Sequence, residues 1–100
     1  MIKHIVWWTL KDSANGCDKA ENASIMKAML EELPAKISEI RAFEVSITIY
    51  RADPSCDIVL YSEFNSPADF EVYRDHPDHD AVKEFVANVR DGRAMVDYEV

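Results

Sequence analysis

The chain has 100 residues, of which 48% are hydrophobic and 30% are charged, and its formal net charge at pH 7 is −8. This length fits one domain over residues 1–100, and the apolar content with only two glycines excludes a disordered chain. The excess of 19 acidic over 11 basic side chains repels phosphate backbones, so we expect no nucleic-acid partner.

The sequence shows neither a membrane-spanning segment nor a secretion signal. No apolar run is long enough to cross a bilayer, and the first residues lack a basic leader and a small-residue cleavage site. Cys17 and Cys56 lie in expected loops without metal-ligand spacing, which favours free thiols in a reducing compartment. We therefore expect a cytoplasmic protein without membrane contact, and the sequence requires no cofactor.

The first predicted element is a strand over residues 2–10, because this stretch is β-branched and aromatic without a breaker. Its side chains divide between two faces, with His4, Val6, Trp8 and Leu10 on one and Ile5 and Trp7 on the other. Both faces are apolar, so both need cover.

A polar turn over residues 11–16 separates this strand from the first predicted helix. Asp18 and Glu21 have the spacing of a capping box, which predicts that the helix begins there. Its apolar stripe consists of Ala23, Met26, Leu30, Leu33 and Ile37. Pro34 predicts the end of the regular helix, because the residue before a proline is biased away from helical dihedrals.

Two further strands are predicted on either side of a turn at residues 51–55. Residues 43–50 alternate apolar and polar side chains, which indicates a strand with one apolar face. Residues 57–64 form a third predicted strand, and its apolar side chains occupy both faces.

The next helix is expected to start at Ser66, a capping residue followed by proline at the first helical position. It should break at His76, which precedes Pro77. An apolar stripe at Val82, Phe85, Val86 and Val89 predicts a second helical segment. Gly92 is expected to end that segment, and residues 94–100 form the closing strand.

The element order β-α-β-β-α-β predicts an α+β fold with a four-stranded antiparallel sheet and helices on one face. The first and third strands are apolar on both faces of the sheet, yet the helices can cover only one face. We therefore expect a second copy of the chain to cover the other face, giving a homodimer through the sheet faces.

Several motifs in this order resemble the stress-responsive α/β-barrel (Dabb) domain family over essentially the whole chain. They are residues 2–6, Leu33-Pro34, Ser62-Glu63-Phe64, the segment Tyr73-Arg74-Asp75-His76-Pro77-Asp78-His79, and Val96-Asp97-Tyr98. The resemblance implies a ferredoxin-like fold and a dimeric α/β barrel.

The resemblance also implies candidate site residues. A plant member of the family cyclises a linear polyketide in a pocket between sheet and helices, and its catalytic tyrosine and histidine match Tyr73 and His79. A pocket histidine on its first strand matches His4. Its bulky first-helix aromatics are replaced near Asn22, Ala23 and Met26, so the same substrate is not expected.

The residues themselves support these candidates chemically. His79 would lie in the first turn of a helix, where the positive helix end favours a neutral imidazole able to act as a base. Tyr73 has core spacing, and its hydroxyl could orient a substrate oxygen. His4 needs a hydrogen-bond partner, which we expect from the other subunit or from a ligand. Its strand neighbours Val6 and Trp8, with Leu60, are candidate ligand contacts.

A metal site at Asp75, His76, Asp78 and His79 is not expected, since the proline redirects the backbone and carboxylates at helix starts have a simpler explanation.

Three functions remain open. The first is a dimer that binds a small, partly apolar molecule and acts as a lyase or cyclase, with His79 as base and Tyr73 as orienting phenol. The second is a non-catalytic stress or assembly protein in which these residues are structural. The third is a cofactor-free monooxygenase. A cavity shared by Tyr73, His79 and His4 favours the first over the second.

Overall fold

Ten helices and strands follow one another in the computed structural model, which describes residues 1–100. In chain order they are β1 (Ile2–Leu10), β2 (Ser13–Ala14), β3 (Cys17–Asp18), α1 (Lys19–Glu31), α2 (Leu33–Lys36), β4 (Ile40–Ser46), β5 (Ile58–Phe64), α3 (Pro67–Arg74), α4 (Pro77–Val89) and β6 (Arg90–Glu99). None of the helices is both long enough and apolar enough to span a membrane.

The four long strands form one antiparallel sheet in the order β4-β5-β1-β6, and β2 pairs with β3 in a separate small hairpin. The first strand therefore lies inside the sheet, while the last strand of the chain forms one edge. This register places His4 opposite Ser62 of β5 and opposite Asp97 of β6. The predicted ferredoxin-like, four-stranded antiparallel fold is confirmed.

The alternation of side chains gives the sheet two different faces. The inner face, against the helices, carries the buried residues of β1 and β5: His4, Val6, Trp8, Leu10, Ile58, Leu60, Ser62 and Phe64. They pack with Met26, Leu30 and Leu33 and with Val82, Val86 and Val89 in the core. The outer face carries Ile5, Trp7, Val59 and Tyr61, which are only partly buried, and Val96, which is 45% exposed.

The predicted helix starts and the helix break are confirmed. Asp18 and Glu21 form a reciprocal capping box at the start of α1. The Ser66 side chain accepts a hydrogen bond from the Asp69 backbone at the start of α3. At the break between α3 and α4, His76 is the N-cap residue, and its ring Nδ1 accepts from the Asp78 backbone.

Gly92 does not end the last helix, so this prediction was wrong. The helix ends at Val89, and the chain passes directly into β6, which pairs with β1 from its first residue. Gly92 lies opposite Thr9, next to the point where the register of the two strands shifts. A Cβ atom there would lie 2.9 Å from Thr9 Oγ1, so the glycine allows the strands to approach closely.

Two other boundaries differ from the prediction. The second long strand covers Ile40–Ser46, not residues 43–50, because its pairing with β5 ends at Ser46 opposite Val59, and β5 itself begins only one residue earlier, at Ile58. Pro34 lies within the short helix α2, where it occupies an early position that needs no amide hydrogen.

Candidate ligand cavity

A cavity of about 490 Å³ lies between the inner face of the sheet and the two helices α3 and α4. All six candidate residues line it: His4, Val6, Trp8, Leu60, Tyr73 and His79. Strands β1 and β5 supply four of them, and the helix break supplies the other two. The structure therefore brings together residues that lie far apart in the sequence.

The rings of Tyr73 and His79 stack across the helix break, with centroids 4.2 Å apart and planes inclined by 24°. His79 Nδ1 lies 3.1 Å from the Tyr73 carbonyl oxygen and 3.2 Å from that of Arg74. These carbonyls are at the end of α3, where the Tyr73 oxygen also accepts from the His76 amide and the Arg74 oxygen also accepts from Lys83 Nζ. Carbonyl oxygens only accept hydrogen bonds, so Nδ1 must donate, and the neutral ring carries its lone pair on Nε2.

Burial is the first cause that lowers the pKa of His79, to about 4, and the nearby positive charge of Lys83 adds to it. The two carbonyl oxygens act in the opposite direction but do not compensate. Of the flanking carboxylates, Asp80 lies 3.5 Å from Lys83 Nζ, and Asp78 lies 3.7 Å from His76 Nδ1, which accepts a hydrogen bond from the Asp78 amide. The imidazole is therefore neutral near pH 7, chiefly because it is desolvated.

Tyr73 is only 1% exposed, and its hydroxyl has no hydrogen-bond partner in the protein. Burial also raises the pKa of this phenol, so it stays protonated and can serve only as a neutral donor or acceptor. The indole Nε1 of Trp8 is buried without a partner as well. Two side chains of the cavity wall thus hold unsatisfied polar atoms, an arrangement that folded proteins rarely leave without a reason.

His4 has its hydrogen-bond partner within its own chain. Its Nδ1 donates to the carboxylate of Asp97, which the pairing of β1 with β6 places directly opposite. The prediction that this partner comes from another subunit or from a ligand is therefore wrong. The two residues are 93 positions apart in the sequence, which explains why local patterns did not reveal the pair. The bond fixes the ring beside Phe70, with centroids 5.0 Å apart.

The sequence patterns missed several residues of the cavity wall. They are Phe70, Arg74, Lys83, Ala87, Arg90, Arg93, Met95 and Asp97, while Leu30, Val82 and Val86 are predicted only as apolar helix positions. A signal was available for β6, since alternate residues 93, 95 and 97 share the face of Trp8, Val6 and His4. The first helix contributes only Leu30, while Asn22, Ala23 and Met26 are buried outside this wall.

Trp7 and Trp8 lie on opposite faces of the sheet, as the alternation predicts. Trp8 lines the cavity, whereas Trp7 lines a separate hollow on the outer face beside the loop that follows β4. No group of three or more His, Cys, Asp or Glu side chains is placed to hold a metal ion.

The family model of the Stress responsive A/B Barrel Domain (Dabb) matches residues 2–100. No curated protein matches the chain. Among solved structures, a dimeric protein of unknown function with a ferredoxin-like fold from Bacteroides fragilis is 37% identical; the match covers 99% of this chain and 95% of that one, with a TM-score of 0.79.

Two other solved structures, one of a lyase and one of a putative monooxygenase, resemble this chain in fold at lower sequence identity. A hydroxynitrile lyase from Passiflora edulis is 20% identical over 99% of this chain and 92% of that one, with a TM-score of 0.79. A putative antibiotic biosynthesis monooxygenase from Nitrosomonas europaea is 20% identical over 100% of this chain and 98% of that one, with a TM-score of 0.76. At this identity the likeness shows the fold alone.

Proposed function

This chain belongs to the Dabb family of stress-responsive A/B barrel domains, and from that premise we propose that it binds a small, partly apolar molecule in the cavity between its sheet and helices. The observation that carries the proposal is the cavity itself, which Tyr73, His79 and His4 share. Its walls combine apolar side chains with a few polar groups, the usual composition of small-molecule sites.

The polar groups suit a proton-transfer reaction of the lyase or cyclase type. His79 Nδ1 is held by two carbonyl oxygens, which leaves Nε2 to accept a proton from a hydroxyl or an acidic C–H group. The Tyr73 hydroxyl, unpaired in the protein, would orient an oxygen of the ligand. A low imidazole pKa makes His79 a weak base. The proton that it removes must therefore be made more acidic by a carbonyl, nitrile or similar group of the substrate next to it.

A hydroxynitrile is a suitable first substrate, since one structural neighbour is a hydroxynitrile lyase. Nε2 would take the hydroxyl proton, the oxygen would form a carbonyl double bond, and the bond to the nitrile carbon would break. The cyanide that leaves would recover the proton from the imidazolium, which restores neutral His79. All atoms and electrons balance without a cofactor.

A binding screen against phenolic, polyketide-like and hydroxynitrile compounds tests the proposal. We expect compounds that raise the melting temperature of the parent to lose most of that shift in His79→Gln and Tyr73→Phe. His76→Asn is the matched control, because it alters an imidazole at the same helix break that does not line the cavity. Equal shifts in all four proteins would remove His79 and Tyr73 from the ligand site.

A non-catalytic role is the second candidate, and the low pKa of His79 favours it, because a useful general base has a pKa near the working pH. Ligand binding without cyanide release, and without deuterium exchange at an acidic C–H group, would support this candidate over the lyase. The monooxygenase alternative has only Trp8, the histidines and a neighbour that shares the fold in its favour.

The same proposal includes a homodimer. The outer sheet face holds Ile5, Trp7, Val59 and Tyr61, and no element of the chain covers it. A solved structure that is 37% identical is described as dimeric. A second copy laid on this face would bury these side chains and complete the α/β barrel that the sequence predicts. Sedimentation at micromolar concentration tests it, and a stable monomer would contradict it.

A further inference from the structure

Four of the 17 residues that line the cavity are lysine or arginine, in a chain whose net charge is −8. The four are Arg74, Lys83, Arg90 and Arg93. The only carboxylate in the wall belongs to Asp97, which is bonded to His4. The cavity therefore concentrates positive charge on a molecule that repels anions elsewhere.

The four cations are not equivalent. Arg74 is held by Asp75 through two hydrogen bonds of 3.0 and 3.1 Å, and Lys83 lies 3.5 Å from the Asp80 carboxylate. Arg90 and Arg93 have no carboxylate within ion-pair distance, and the one hydrogen bond that either guanidinium group makes is from Arg93 to the Met95 sulfur at 3.4 Å. Two guanidinium groups at the rim are thus free to bind an anion.

These two arginines lie far from the reactive groups. Arg93 pairs with Trp8, and Asp97 pairs with His4, four residues along the same strand and about 13 Å away. Along α4, the backbones of His79 and Arg90 are about 16 Å apart. The guanidinium groups without a carboxylate partner therefore mark one end of the cavity, and the His4, Tyr73 and His79 rings, with Lys83 nearby, mark the other.

We propose that the ligand is an elongated organic anion whose carboxylate or phosphate binds Arg90 and Arg93 at the rim, while its apolar body extends toward Tyr73 and His79. The inference rests on the proposed function and specifies its ligand class. Arginine suits this task, because its planar guanidinium binds carboxylate and phosphate oxygens in pairs. The apolar walls at Val6, Leu60 and Val86 bind the body of the ligand.

The test compares three probes with one apolar body: 4-phenylbutyrate, its neutral amide 4-phenylbutanamide, and 3-phenylpropyl phosphate. Calorimetric titration of the parent at low salt should show the two anions binding about tenfold or more tightly than the amide. The difference between carboxylate and phosphate identifies which anion the rim prefers. Raising the salt concentration should reduce the preference for anions, since the rim is open to solvent.

Two double variants, each of which loses two positive charges, test whether the preference for anions depends on Arg90 and Arg93. Arg90→Gln with Arg93→Gln should bring the anions within about threefold of the amide. Arg41→Gln with Arg51→Gln is the control, because both are exposed arginines without a carboxylate partner and neither lines this cavity. That variant should keep the preference of the parent. Thermal unfolding checks that both variants remain folded.

The outcomes separate this inference from the proposed function. If the amide and the anions bind the parent equally and His79→Gln weakens both, the cavity binds ligands but the inference about charge is wrong. If the preference for anions survives in the Arg90 and Arg93 variant, the inference is also wrong. If none of the three probes binds the parent, both the proposed function and the inference fail.

Discussion

The two faces of the central sheet are built from the same strands but have different chemistry. The inner face contains polar groups among apolar ones, and most have a partner within the chain, such as His4 with Asp97 and Ser62 with the His4 carbonyl oxygen. The outer face presents Ile5, Trp7 and neighbouring apolar side chains with no covering element.

Each face leaves a different feature without a partner in the chain. On the inner face, the sheet and helices of one chain enclose a cavity, and its wall contains polar atoms without hydrogen-bond partners. We therefore expect a small ligand to occupy it. On the outer face, an apolar surface of sheet size is left without any such enclosure, which suits a second protein surface. Each of the following predictions alters one face and leaves the other unchanged.

Truncation of adjacent residues in β5 should give the largest contrast. Leu60→Ala removes a side chain that is 1% exposed on the inner face, and should lower the free energy of unfolding by about 2–5 kcal/mol. Val59→Ala on the outer face should lower it by about 1 kcal/mol or less when the protein is dilute. Urea unfolding measures both, and equal losses would contradict the description of the two faces.

A charge on the outer face should prevent dimerisation. Val96 on the sheet and Val72 on α3 are both 45% exposed, so Val96→Glu and Val72→Glu form a matched pair. Burial of an unpaired carboxylate in the proposed interface should weaken the dimer by about 3 kcal/mol, roughly a hundredfold. Sedimentation should detect this for Val96→Glu alone. A dimer unaffected by this variant would place the interface elsewhere.

His79 should make the stability of the inner face depend on pH. Its pKa is about 4 in the folded protein and 6.5 when unperturbed, so between these values the unfolded chain binds more protons. The contribution is complete above pH 6.5 and is lost as the pH falls toward 4. With allowance for partial exposure of the ring, we expect a loss of about 1–2 kcal/mol.

Urea unfolding at pH 7 and at pH 4.5 in parent and His79→Gln measures this contribution. The variant should lose less stability than the parent over that interval, whereas His76→Asn should keep the pH dependence due to His79. If the parent and His79→Gln have the same pH dependence, desolvation does not lower the pKa of His79.

Removal of a phenol hydroxyl should give the smallest effect, with opposite signs on the two faces. Tyr73→Phe removes a buried hydroxyl without a partner and should raise the free energy of unfolding by up to about 1 kcal/mol. Tyr61→Phe on the outer face removes a hydroxyl that donates to Glu63, and should lower it slightly. A loss of stability in Tyr73→Phe would indicate a hydrogen bond to this hydroxyl.

Much of the fold follows from short-range patterns in the sequence. The alternation in residues 2–10 correctly divided β1 into two faces, and the Asp18 and Ser66 caps located two helix starts. Each of these signals acts within a few residues, through a capping hydrogen bond or the pleat of a strand. Gly92 gave the wrong result because its role depends on Thr9, far away in the sequence.

The candidate site was only partly accessible to the same reasoning. The segment between Tyr73 and His79 is local, and a family resemblance was sufficient to select both residues and His4. Asp97 and the two arginines of the rim were not predicted as site residues, although alternate residues of β6 share one face of the sheet. Their position in the cavity depends on which strand is the neighbour of β1 at the edge of the sheet, and no short-range pattern specifies that.

Local patterns were sufficient to predict the three long helices, the order of the long strands along the chain and the apolar character of both faces of β1, because each depends on residues close together in the chain. Long-range strand pairing, in contrast, makes Asp97 the partner of His4 and brings Arg90 and Arg93 to the same cavity as His79. The reason is physical: strand pairing brings together atoms separated by most of the chain, and the charges and hydrogen bonds of a site depend on distance in space.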